Sequence, residues 1–168
     1  MKTFDEIDPQ KLDESVFRLI GSDWMLITAG DLESYNTMTA SWGGLGHLWN
    51  LDVCFCFIRP TRHTLGFMER SKTFSLCFFE EKYRNALDYC GSHSGKDVDK
   101  AKETGLTPVS GERGTVYYDE ARIVLLCDKI YYQDIIPGQF LDSGLESHYP
   151  IKDYHRMYIG RILKALKV

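Results

Sequence analysis

The sequence lacks any apolar stretch near the roughly 18 residues that a membrane-spanning helix needs. Its opening, MKTFDEIDPQ, carries acids where a signal peptide would carry an apolar run. The five cysteines are an odd set without the paired spacing of secreted disulfide scaffolds. We therefore expect a reduced, cytoplasmic protein with no membrane partner.

An excess of basic residues is also missing. The net charge is −4 and the isoelectric point is about 5.7, so the composition does not show the basic excess that binding to nucleic acid requires, and we expect no nucleic-acid partner. Cys54 and Cys56 share a strand face, but no second pair stands at zinc-site spacing, and we expect no metal. No nucleophile elbow such as GxSxG occurs, so no residue is assigned a catalytic role.

The 168 residues suffice for one domain, 1–168, with its own core, and 10 Tyr and 9 Phe favour β structure. Short apolar runs predict strands in WMLITAG, NTMTASW, VCFCFI (buried on both faces) and TFSLCFF, and one or two more in TVYYDEARIVLLCDKIYYQDI. Three or so short helices lie between them, without strict alternation. The fold class is mainly β or α+β, a barrel or sandwich.

Helix signals predict the remaining elements. DPQKLDESVFRLI reads as one helix with Asp8 as its N-cap, and EEKYRNALDYCG as another. SGKDVDKAKETG repeats the pattern, with Ser94 before the helix and Gly105 after it, which places Lys96 and Lys100 on one helical face. In the tail HRMYIGRILKALKV the apolar spacing favours a helix, although Met157–Ile159 reads as strand.

Three stretches are candidates for binding. In NTMTASWGGLGHLW, hydroxyl residues beside an indole suit either a packed strand end or the floor for a flat ligand. Its glycines match neither GxGxxG nor GxxxxGK[ST] and are predicted to form a turn. RPTRHT offers two guanidiniums after a buried strand, as a phosphate cradle does, or forms a solvated loop. SHSGKDVDK places cations near a helix start, where anions bind, or is an ordinary surface cap.

Taken together, N-x-M-T-x-S-W-G, then LW, R-P-x-R-x-T and S-G-x-D-x-D-K resemble the flavin reductase-like, FMN-binding split-barrel family, and the flavoredoxin branch most of all. The likeness covers Trp24 to about Pro108, and DYHRMYIG more loosely. It implies a Greek-key split β-barrel with peripheral short helices, a homodimer, and FMN near the subunit interface. It also implies that the tail is a strand, against its helical spacing.

The resemblance implies a set of cofactor-binding residues. NTMTASW would offer backbone and hydroxyl groups to the flavin, the Arg-rich motif would hold the phosphate, and the Ser-Gly-Lys motif would reach the cofactor from its own subunit or the partner. His63 stands where relatives commonly carry Tyr. The set is Thr37, Met38, Thr39, Ala40, Ser41, Trp42, Arg59, Arg62, His63, Thr64, Ser94, Lys96 and Lys100.

The implied activity is that of an FMN-dependent oxidoreductase, with NAD(P)H as a transient co-substrate and a second acceptor such as free flavin. A flavin needs donors near its ring edge and apolar walls but no dedicated general base, which fits the absence of a catalytic triad. A flavoredoxin-like electron carrier with a redox protein partner is the alternative. The sequence leaves open NADH against NADPH, the acceptor, and a redox role for Cys90.

Overall fold

The computed structural model describes residues 2–168. Its ten strands are β1 (Asp5–Ile7), β2 (Met25–Asp31), β3 (Ser34–Ala40), β4 (Gly43–Leu48), β5 (Leu51–Ile58), β6 (Thr73–Phe78), β7 (Pro108–Ser110), β8 (Val116–Tyr118), β9 (Ile123–Asp134) and β10 (Arg156–Lys167). The four α-helices are α1 (Val16–Gly21), α2 (Thr64–Arg70), α3 (Arg84–Ser92) and α4 (Lys100–Thr104). Among residues 2–168, none of the helices is long and apolar enough to cross a membrane.

Eight strands form one antiparallel sheet in the order β3-β2-β6-β9-β10-β5-β4, with β1 paired to the end of β10. The two edge strands, β3 and β4, are joined by Ser41 and Trp42 alone. Since the three Cα–Cα steps between Ala40 and Gly43 span at most about 11 Å, the sheet must curl until its edges approach each other. The edges do not pair, and the result is the expected split β-barrel.

Two groups of buried side chains explain which strands are apolar on both faces. One fills the barrel and includes Ile27, Phe74 and Leu125. The other includes Leu26 and Leu126, and packs the outer face of β2, β6 and β9 against α3, α4 and β8. Strand β6 lies between the two groups and is buried at every position, as its sequence predicts. In β5 the predicted double-sided burial is only partial, because Phe55 and Phe57 remain partly exposed.

The tail is strand β10, as the family resemblance implies, and the helical spacing of its apolar residues is misleading. It pairs with β9 along its length and with β5 through its first half. Gly160 is required where these strands pack, because a Cβ there would lie 2.4 Å from Cζ of Phe74 and 3.0 Å from Cβ of Cys127. Pairing on both sides decides the conformation, which local periodicity does not show.

Three local predictions are wrong. Asp8 caps only a 3-10 turn, Pro9–Lys11, and α1 begins later with Ser15 as its N-cap. Helix α4 is capped by Asp99, whose side chain accepts from the Lys102 amide at 3.2 Å. Ser94 instead closes a turn by accepting from the Lys96 amide at 3.2 Å. Lys96 therefore precedes the helix, and the two lysines do not share a helical face.

The third error concerns the glycines after Trp42. They form strand β4, not a turn, and pair with β5 from Gly43 opposite Cys56 to Leu48 opposite Leu51. A Cβ on Gly43 would lie 2.6 Å from the carbonyl oxygen of Phe55. The glycine is needed for the close approach of two strands.

Candidate functional site

A cleft of about 200 Å³ opens where the barrel is split. The end of β3 forms its floor, the two residues that cross to β4 form one side, and the end of β5 with the residues after it forms the other. Its lining consists of Met38, Thr39, Ala40, Ser41, Trp42, Phe57, Arg59, Arg62 and His155. All but Phe57 and His155 belong to the predicted cofactor-binding set.

Backbone groups of β3 face this opening. The Thr37 carbonyl points away from β2, since it accepts the Lys100 ammonium group at 2.8 Å. Residues of an antiparallel strand direct their backbone groups to alternate sides, so the amide group of Thr39 points to the same open edge, and Ser41 follows directly after the strand. The hydroxyl of Thr37 donates to the Ile27 carbonyl, and that of Thr39 to the Leu87 carbonyl. These two hydroxyls are bonded within the protein, so β3 offers a ligand mainly its backbone groups.

The three motifs of the sequence meet at Asn36, which the predicted set omits. Its side-chain amide donates to the Thr64 hydroxyl at 2.7 Å, and both residues are buried. Gly95 packs so closely on Asn36 that a Cβ would lie 1.8 Å from Oδ1. Thr64 and Gly95 belong to the second and third motifs. Some residues of the three motifs therefore hold the site together without having to touch a ligand. Asn36, the first residue of the first motif, was the signal in the sequence that could have identified this role.

Two cations next to the cleft have no carboxylate partner among residues 2–168. Arg62 donates to the Gly91 carbonyl at 2.6 Å, and Lys100 donates to the Cys90 carbonyl at 2.7 Å, both at the end of α3. Lys100 is only 6% exposed. Burial lowers its pKa, and the charge of Arg62 lowers that pKa further, against an opposing effect of Cys90. A buried cation such as Lys100 is costly without an anion, and Arg62 beside it is partly exposed, so this arrangement fits a ligand with a phosphate group.

The remaining predicted residues lie outside the cleft. Thr37, Lys96 and Lys100 line a neighbouring concavity of about 460 Å³ along the same strand. The exposed ammonium group of Lys96 has no acceptor or carboxylate partner among residues 2–168. His63 precedes α2, and its ring packs edge-on against Phe67 at 5.2 Å. Ser94 lies in the turn before Lys96. Whether these residues touch a ligand remains a prediction.

An aromatic wall forms the side of the cleft that contains Trp42. The ring of Trp42 lies 5.0 Å from that of His155 and 5.4 Å from that of His148, measured between centroids. His155 Nδ1 lies 2.9 Å from the hydroxyl of buried Tyr149. Burial, then the charge of Arg59, lowers the pKa of His155 to about 4, against a raising effect of Asp153 and with a further lowering by Arg62. The imidazole is therefore neutral at pH 7.

His155 and Phe57 were missed for different reasons. His155 stands in DYHRMYIG, a segment that already carried part of the resemblance, so its position was a usable signal. Phe57 reaches the cleft because side chains alternate along β5, and the buried Cys56 and Ile58 on either side face the barrel. The run VCFCFI is apolar throughout, so the sequence did not show that Phe57 would be partly exposed.

Solved structures show the same fold. A flavin reductase-like FMN-binding domain from Shewanella baltica superposes with a TM-score of 0.71 at 16% identity, over 98% of this chain and 77% of that one. Flavoredoxin from Desulfovibrio vulgaris (Miyazaki F) gives 0.67 at 24% identity, over 86% and 68%. An NADH:FAD oxidoreductase from Streptomyces globisporus gives 0.66 at 17% identity, over 96% and 86%. No curated protein matches the chain.

The family model described as flavin reductase-like domain matches residues 17–166, which is nearly the whole chain. The match includes all three motifs and strand β10 up to Leu166, so the resemblance seen in the sequence is confirmed. The chain belongs to the flavin reductase-like domain family.

Proposed function

We propose that the protein is an FMN-binding oxidoreductase that takes electrons from NAD(P)H and passes them to a second acceptor such as free flavin. The observation that carries this proposal is the pair Arg62 and Lys100, two cations that have no carboxylate partner among residues 2–168. They lie beside a cleft that also has backbone amides at its open edge and an aromatic wall. FMN combines the groups that such a site accepts: a phosphate, a polar chain and a flat ring system.

The residues divide between these parts of the ligand. Arg62 and Lys100 would hold the phosphate with charge-assisted hydrogen bonds. The amide groups of Thr39 and Ser41 would donate to the polar edge of the ring system, while Met38 and Phe57 supply apolar contacts. Bound FMN would supply the redox chemistry, since a flavin accepts a hydride and releases electrons singly or in pairs. The protein binds and orients the reactants and excludes water.

A homodimer is part of the proposal. The cleft of about 200 Å³ is smaller than the roughly 300–1,000 Å³ typical of ligand pockets, so a second surface is needed to enclose the ligand. Trp42 is 42% exposed at the cleft, and the exposed rings of Trp49 and Tyr131 pack together 5.9 Å apart on the surface. A second subunit would cover such residues, and its Lys96 would reach the cofactor.

A binding experiment tests the function directly. Purified protein is mixed with excess FMN, desalted and examined by visible absorbance. We expect flavin to remain at about one per subunit, with riboflavin retained less well because it lacks the phosphate. Protein that leaves the column colourless would refute the proposal.

A second experiment separates the enzyme from the alternative, a flavoredoxin-like carrier that exchanges electrons with a redox protein. The alternative is favoured by the structural likeness to flavoredoxin. The FMN-loaded protein is mixed anaerobically with NADH or NADPH while the flavin absorbance is followed. Rapid bleaching supports the reductase and identifies the nucleotide. Reduction by dithionite or a protein donor only supports the carrier.

A further inference from the structure

Arg59 is bound to a distant part of the chain, although its motif predicts a phosphate contact. One terminal nitrogen donates to the Asp153 carboxylate at 2.7 Å, and the other donates to the His148 carbonyl at 2.9 Å. The guanidinium also lies 5.0 Å above the ring centroid of Tyr149. These three contacts commit both terminal nitrogens and one face of the group to residues 148–153.

The two arginines of the motif differ in the charge of the group that they contact. Arg62 has no carboxylate partner among residues 2–168, whereas Arg59 is neutralised by Asp153, which is only 9% exposed. Burial is the largest single effect and raises the pKa of Asp153, but the hydrogen bond from Arg59, a backbone hydrogen bond and the charge of Arg59 together outweigh it, and the net shift is downward. Asp153 is therefore ionised at pH 7. The ion pair of Arg59 and Asp153 has no net charge, so it attracts a phosphate less strongly than the unpaired charge of Arg62 does.

The segment that Arg59 holds is the one that completes the cleft. Tyr149 contacts His155 through its hydroxyl, and His155 and His148 form the aromatic wall with Trp42. Without Arg59, this segment would lose the ion pair, the bond to its backbone and the cation–π contact together. The wall therefore depends on Arg59, the residue that follows β5, and we call its three contacts with Asp153, His148 and Tyr149 the clamp.

We propose that Arg59 is a positioning residue, which fastens residues 148–155 against the cleft and so holds Trp42 and His155 as the wall that faces the flat part of a bound ligand. This role rests on the proposed flavin site, because the wall would contact the ring system and not the phosphate. It predicts that Arg59 affects FMN and riboflavin equally, while Arg62 distinguishes them.

The clamp is tested first on flavin-free protein, with Arg59→Gln and Arg59→Lys as a matched pair. The amides of residues 148–155 should exchange with solvent at least about tenfold faster in Arg59→Gln. The pKa of His155, followed by its imidazole NMR signal, should rise from about 4 towards its ordinary value near 6.5. The groups that face this ring are Arg59, Arg62, Asp153 and the Tyr149 hydroxyl. Arg59→Lys should keep both properties closer to those of the wild type.

Asp153→Asn is a second variant in case Arg59→Gln does not fold. It removes the negative charge of the ion pair and leaves the guanidinium in place, so it should also speed amide exchange in residues 148–155. Unchanged exchange in the variants would overturn the clamp. This result does not depend on any flavin, so failure of the clamp and failure of the proposed function are distinguishable.

Flavin affinities then test what the wall contacts. Arg59→Gln should weaken FMN and riboflavin by the same factor, within about threefold. If it weakens FMN at least about tenfold more than riboflavin, Arg59 is a phosphate ligand and the positioning role is wrong. Arg59→Lys should recover most of the affinity for both flavins, because it restores the charge opposite Asp153.

Discussion

The side-chain amide of Asn36 donates to the hydroxyl of Thr64 across 2.7 Å, and this bond joins β3 to the start of α2. Arg62 stands two residues before Thr64, and the edge amides of β3 begin next to Asn36. A bond between two side chains outside the cleft thereby fixes the distance between the backbone donors and the cation within the proposed site.

Asn36→Ala should lower the free energy of unfolding by about 1–3 kcal/mol, because a buried hydrogen bond is lost and the Thr64 hydroxyl is left without its donor. Urea denaturation of the flavin-free protein measures the change. Asn85→Ala is the control, since Asn85 is exposed on α3 and alanine suits a helix. In a double-mutant cycle, Asn36→Ala and Thr64→Val should cost less together than the sum of their separate effects. Additive effects would show that the two side chains do not depend on each other.

Arg62→Ala should weaken FMN about 10- to 150-fold, which corresponds to the loss of a charge-assisted contact of about 1.5–3 kcal/mol. Riboflavin affinity should change far less, since riboflavin has no phosphate. Arg18→Ala is the matched control, because Arg18 is exposed on α1 and its one ion pair among residues 2–168 is with Asp23, at 3.6 Å. Titration by quenching of flavin fluorescence gives all the dissociation constants. Equal losses for both flavins would mean that Arg62 does not bind the phosphate.

The buried histidine makes the protein less stable in mild acid. The pKa of His155 is about 4 in the folded protein and about 6.5 when unfolded, so the unfolded chain binds the extra proton between these values. The contribution of neutral His155 to the stability of the folded protein is present above pH 6.5 and is lost as the pH falls towards 4. From pH 7.5 to pH 5 this loss is about 1–2 kcal/mol, reduced by partial solvent screening. His155→Gln should lose correspondingly less over that range in urea denaturation, and an equal pH dependence in both proteins would contradict the assignment.

Residue patterns predicted the strands but left a barrel or a sandwich open, and the family resemblance implied the split barrel and most of the residues that line the cleft, because its motifs occur together in one chain. Buried strands such as β6 are visible as apolar runs, and the motif ending at Trp42 marks the split between the edge strands. The partners of Arg59 were not predictable in this way. Asp153 lies 94 residues away in the chain, and spacing within a motif contains no information on such a pair. For the same reason, Gly43 was mistaken for a turn residue when it is required by its neighbour Phe55.

The proposed dimer predicts that FMN opposes dissociation. A ligand that binds only the assembled site stabilises it by about 2.7 kcal/mol per site at a free concentration 100 times its dissociation constant. Sedimentation at falling protein concentration should therefore show the dimer persisting to lower concentration with FMN than without it. A monomer that keeps FMN with unchanged affinity would show that each subunit forms its whole site alone.

A mixing experiment identifies which subunit supplies Lys96. In a two-fold dimer, each proposed site combines Arg62 of one subunit with Lys96 of the other. Arg62→Ala and Lys96→Ala proteins, each weak in FMN binding, are mixed in equal amounts and allowed to exchange subunits. Half of the dimers then contain one of each, and each of these has one intact site, so about a quarter of all sites should bind FMN with wild-type affinity. If Lys96 acts within its own subunit, every site in the mixture carries one substitution and no tight binding returns. The same absence of recovery is expected if the chain is a monomer, and sedimentation of the mixture distinguishes these two explanations.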